Sequence, residues 1–193
     1  MRTLIAVLLL LAAAGQKGLA LPTVAYSAFS SPGAPPLWVS TRVAFDENGD
    51  LRPELFEPAF RAILEKNRSA NADGGCHTAL GAPVGEVASS ALTILAGDIV
   101  AADTGFYNGT PGTLFQLAVT DIVKSIGRYN DKGRLAQIFI ANATITTPHG
   151  TICAREPFAA TIPAVGDHVV VYSSVNPVDV EHRILPVDRF TRF

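Results

Sequence analysis

From residue 92 onward the apolar residues fall in short runs that Gly, Pro, Asn and Asp interrupt. Residues 92–102 are apolar enough for a buried strand. Residues 114–123 alternate, with Phe115, Leu117 and Val119 on one side and Gln116, Ala118 and Thr120 on the other. That two-residue period is the mark of a half-buried strand. The same reasoning predicts strands at 135–145, around 151–154, at 168–172 and around 183–187. Turn chemistry separates them: Asn108-Gly109 with Pro111-Gly112, residues 131–133, 148–150 and 163–167, and Asn176-Pro177. Upstream, residues 38–45 read as a strand with Trp38, Val39, Val43 and Phe45 as its apolar content. The cluster Asp46, Glu47, Asn48, Gly49 and Asp50 then supplies a tight turn.

One segment carries a helical period. Leu55, Phe56, Ala59, Phe60, Ile63 and Leu64 fall on one face of a helix expected near 54–67. Pro53 and Pro58 cannot both lie inside it, so Pro58 should mark its first turn, with a looser turn before. Short strands with turn chemistry between them and one helix predict a mainly β, α+β chain. Its expected form is a small antiparallel β-barrel or sandwich with one packed helix.

The first residues follow a different pattern. Arg2 precedes an unbroken apolar run over 4–14, and Gly18-Leu19-Ala20 ends the segment with small residues. A charge, a short apolar core and a small-residue exit make residues 1–20 a secretory signal peptide. Cleavage is expected after Ala20, with Ala14 as a second choice. The run is too short to cross a bilayer, which takes about 20 residues. No membrane span is therefore expected after cleavage, and the protein should be secreted or periplasmic. Residues 21–36, rich in Pro, Ser, Gly and Ala, read as an extended leader, and 37–193 as a single β-rich domain.

Charge and cysteine content narrow the function classes. Cleavage removes Arg2 and Lys17 and no acid, taking the net charge from −2 to −4. An acidic chain without a Lys/Arg cluster lacks the footprint of a nucleic-acid binder. Cys76 and Cys153, an even pair in an oxidising compartment, are expected to form a disulfide.

Several residue sets bear on chemistry. Asp103-Thr104-Gly105 follows an apolar strand, as the aspartate of a pepsin-like protease does. Such catalysis needs a second carboxylate sharing a proton, and the chain has one such triplet, so it is read as a turn ending the strand. Asp46, Asn48, Asp50, Glu54 and Glu57 match oxygen positions of a calcium loop. Leu51 and Pro53 stand where that loop needs other geometry, and the reading preferred is a turn followed by a helix with acids in its first turns. His77, His149, His168 and His182 show no metal spacing, and no cofactor fingerprint is present. Asn67-Arg68-Ser69 is the best placed of three N-glycosylation triplets. Phe106 and Tyr107, beside the Gly-rich turn, form the preferred binding pair if exposed. The expected role is a non-catalytic binding or structural module with an unknown ligand or envelope protein as partner. The alternative is a secreted, aspartate-dependent hydrolase in which Asp103 works with a second acid or a His, drawn from Asp121, Asp167 or His168.

Overall fold

The structure is a computed structural model that describes residues 38–70, 76, 88–125, 132–155, 162–175 and 184–193. The signal peptide, the leader, His77 and His182 lie outside the described residues.

The chain is mainly β. Two long strands dominate it, β2 (Thr93–Tyr107) and β3 (Thr110–Ser125), paired antiparallel along their whole length. Asn108 and Gly109 join them, with φ of 48° and 75°. Two consecutive left-handed residues are the tight hairpin turn whose twist matches that of the strands. Strand β4 (Leu135–Ile140) pairs with β3, and β7 (His168–Ser173) returns by a long connection to pair with β2. Three consecutive antiparallel strands with a fourth beside the first are a Greek key. The final segment then serves both edges of this array. Strand β8 (Ile184–Pro186) lies parallel to β4, and β9 (Arg189–Arg192) antiparallel to β7. Between them Val187 N donates to Phe139 O at 2.8 Å and Asp188 N to Tyr172 O at 2.9 Å. One continuous stretch thus joins the two outer strands and curls the sheet.

The concave side is the inner face. It carries the core cluster of Leu95, Ile99, Phe115, Leu117, Val119, Ile138, Val169, Val171 and Leu185. The alternation of Phe115, Leu117 and Val119 is what places them together. Toward the hairpin tip a second cluster forms from Val39, Phe56, Leu64, Phe106, Ile145 and Ile152. The helix α2 (Pro58–Ala70) and a separate two-stranded sheet, β5 (Ala143–Thr147) with β6 (Gly150–Ala154), contribute to it.

Several elements depart from the sequence-based expectation, each for a local reason. The strand expected over 38–45 stops after three residues, as β1 (Trp38–Ser40). Ser40 accepts from Arg42 N at 3.3 Å and caps a one-turn helix, α1 (Thr41–Ala44). The strand expected over 135–145 is two strands. Asn142 N donates to Ile140 O, and Thr113 Oγ1 to Asn142 O, so the chain bends there and β5 leaves the main sheet. Asp103-Thr104-Gly105 is not a turn but lies well inside β2. The helix is also rotated from its expected face. It does begin at Pro58 after a 3-10 turn at Pro53–Leu55, as expected, but Ile63 is 60% exposed while Leu64 is buried. Polar contacts set this rotation. The Asn67 side chain brackets Cys153, donating to its O and accepting from its N, both at 3.3 Å.

Cys76 and Cys153 form a disulfide across 77 residues of sequence. In the chain-entropy description its loss should destabilise the fold by about 4–5 kcal/mol, checked by denaturation with and without reductant. Leu117→Ala, at the centre of the inner core, should cost about 2–5 kcal/mol. Ile63→Ala should stay within about 0.5 kcal/mol. Equal losses for the two would contradict the rotation of α2.

Candidate functional site

The outer face of the β2–β3–β4 array is unlike the inner one. Register places Ala101, Gln116, Gln137 and Ile184 in one row across β2, β3, β4 and β8. The next row toward the tip is Asp103, Leu114 and Phe139. Beyond it stand Gly105 with Gly112, then Tyr107 with Trp38 of β1. A register shift between Ile99 and Ala101 makes this arrangement possible, because it resets which residues of β2 point outward. Trp38, Leu114, Phe139 and Ile184 pack here as an apolar cluster.

The glycines set how closely the rings approach. A Cβ on Gly105 would lie 2.7 Å from the Trp38 ring, and one on Gly112 2.4 Å from the Phe139 ring. Without those Cβ atoms both rings lie against the backbone of the sheet. Tyr107 is tilted against Phe139 with centroids 5.1 Å apart, and burial pushes its hydroxyl above the usual tyrosine value.

Among these side chains stand polar atoms without partners. Asp103 is 7% exposed and Gln116 9%. Asp103 Oδ2, Gln116 Oε1, Gln137 Oε1 and Trp38 Nε1 are buried and make no hydrogen bond. A buried group left in this way costs about 1–3 kcal/mol. The other Asp103 oxygen faces the exposed Arg42, whose Nε is 3.8 Å away.

The remaining expected residues are dispersed. Phe106 is not an exposed binding residue. It is fully buried on the opposite face, edge-on to Phe56 and Phe45, because strand alternation sends it inward when Tyr107 points outward. Asp46 holds its own turn: its Oδ1 accepts from Asn48 N and Asp50 N, both at 2.9 Å, and Phe45 bridges to Leu51. Asp50 lies 3.8 Å from the Arg68 guanidinium and 3.6 Å from the His149 imidazole. Glu57 is exposed just before α2. Among the described residues no group of three or more His, Cys, Asp or Glu is placed to hold a metal ion. His168 Nδ1 lies 2.7 Å from Asp98 Oδ1, Asp167 pairs with Arg192 at 3.3 Å, and Asp121 with Lys132 at 3.0 Å.

Sequence reasoning singled out Asp103 and Tyr107 of the outer face but missed Trp38, Gln116 and Gln137. The signal within the chain was Gln116, which alternation sets on the face opposite Phe115 and Leu117. Its neighbour Gln137 becomes visible only through the β3–β4 register.

No family model, no curated protein and no solved structure matches the chain.

The turn around Asp46 has a pH signature. Backbone N–H donation, from Asp50 above all, holds the Asp46 carboxyl below its ordinary value of 3.8. A lowered folded pKa gives stability that is complete above the unfolded value and lost as pH falls through the folded one. Asp46→Asn keeps an acceptor but no charge. The wild-type protein should therefore melt higher than this variant at about pH 6, and the two melting curves should converge as pH falls through the lowered folded value.

Proposed function

We propose that the chain is an exported protein of the cell envelope or extracellular space, acting as a non-catalytic binding or structural module. The observation that carries this reading is the separate pairing of the groups a hydrolase would have to bring together. Asp103 has Arg42, His168 has Asp98, Asp167 has Arg192 and Asp121 has Lys132. Acid–base catalysis needs two such groups converging on one reacting bond. Asp103 and the Asp98–His168 pair share the outer face, but four residues of β2 lie between the two aspartates. At about 3.3 Å per residue this puts them well beyond hydrogen-bond reach of a common substrate atom.

The Cys76–Cys153 disulfide fits an oxidising compartment. Among the described residues no helix is long and apolar enough to cross a membrane. The disulfide is what supports the export that residues 1–20 lead one to expect. A ligand or envelope partner would meet the outer face, where Tyr107 stands at the rim and Asp103 behind it.

The competing reading, a secreted hydrolase, draws on the buried Asp103 oxygen that has no partner. A panel of protein, peptide, ester and glycoside substrates, tested from acid to neutral pH, separates the two. The purified protein should turn over none of them faster than its Asp103→Asn variant. A rate that Asp103→Asn abolishes would establish the hydrolase instead.

A further inference from the structure

We propose that Asn108 is a site of spontaneous deamidation in the folded protein, one that lengthens the turn on which the β2–β3 register rests. The nucleophile is the backbone amide of Gly109, and water is the co-reactant. The inference stands apart from whatever the outer face binds. Asn followed by Gly is the pair most prone to this chemistry, because glycine has no Cβ to hinder the approach of its own nitrogen to the preceding side chain. The chain holds two such pairs, Asn48-Gly49 and Asn108-Gly109. The sequence does not rank them, but their surroundings do.

Asn48-Gly49 is held on every side. Gly49 N, the atom that would have to attack, donates to Asp46 O at 3.1 Å. Asn48 N donates to Asp46 Oδ1 at 2.9 Å, and the Asn48 carbonyl lies 3.0 Å from His149 Nε2. Arg68 Nη1 donates to Gly49 O at 3.5 Å. A Cβ on Gly49 would lie 2.5 Å from Pro148, so the β5–β6 turn abuts this one. Attack at Asn48 would therefore disturb hydrogen bonds within the turn and others to α2 and the β5–β6 hairpin.

Asn108-Gly109 lacks these restraints. Asn108 is exposed at the hairpin tip. Among the described residues, neither its side chain nor Gly109 N makes a hydrogen bond. The left-handed turn must rotate before Gly109 N can reach the side chain, and that motion is confined to the tip and the adjoining Tyr107–Thr110 pair. Local opening at such a tip costs little beside global unfolding. Gly109 N then loses its proton and bonds to the side-chain carbonyl carbon of Asn108. The side-chain nitrogen takes up a proton and leaves as ammonia, and a cyclic succinimide results. Water opens the ring at either carbonyl, giving aspartate or, with the backbone rerouted through the side chain, isoaspartate. The second product lengthens the backbone by one carbon–carbon bond, about 1.5 Å. It does so where the register of β2 on β3 is set and where Phe60 of α2 packs.

The test compares the two pairs within one molecule. The folded protein is held in warm, mildly alkaline buffer, and the same chain in urea serves as reference until both of its pairs have reacted. Peptides from each are mapped by mass for succinimide and isoaspartate. In urea the two pairs should react at similar rates, because no structure distinguishes them. In the folded protein Asn108 should react at least about tenfold faster than Asn48. A smaller ratio, or no reaction at Asn108 of the folded protein, overturns the inference. A second measurement follows the consequence for the turn. The isoaspartate form, separated by its added negative charge, should melt below the unmodified protein. Asn108→Asp carries the charge on an ordinary backbone and should melt with the unmodified protein. Equal melting of all three would overturn the effect assigned to the lengthened turn.

Discussion

Every face in this protein is fixed by the pairing of β2 with β3. Asn108 and Gly109 take left-handed conformations at the tip, and the turn sets which residue opposes which along two strands of 15 and 16 residues. A slip of one position would send Phe115, Leu117 and Val119 outward and bring Gln116 and Ala118 into the core. The turn is also a packing surface: a Cβ on Gly109 would lie 2.6 Å from Cβ of Phe60. The same two residues therefore set the register and seat the helix.

Those parts of the architecture that rest on local pattern were legible in the chain. Phe115, Leu117 and Val119 share a core because alternation is a property of the strand itself. Asn108-Gly109 forms the hairpin because few other pairs tolerate two left-handed residues. Features governed by distant contacts were not legible. Trp38 and Val39 continue into Val43 and Phe45 as an apolar run, yet Ser40 caps a helical turn between them. Ile63 belongs to the apolar period of α2, yet the Asn67–Cys153 and Arg68 contacts turn it to solvent.

The outer face shows the same division. Asp103 stood out because a carboxylate after an apolar run is conspicuous, but it was read as part of a turn. A register shift near Ile99 leaves no mark in composition, and that shift is what aligns Asp103 with Leu114 and Phe139. Phe106 and Tyr107 looked like a pair, and neighbours on a strand never are. Gln116 and Gln137 are 21 positions apart in sequence and become neighbours only when β4 docks.

The segment 184–192 has a role beyond its few hydrogen bonds. Sheet edges are templates on which other chains can add strands, and here a single stretch lies along both β4 and β7. Among the described residues no other strand pairs with either edge, so protection of the edges and completeness of the fold become one condition. These pairings join Gln137 to Ile184 and Tyr172 to Arg189, and each requires the chain between to be ordered first. Until they form, two bare edges are presented at once. Docking of this one stretch closes both openings to strand addition in a single step.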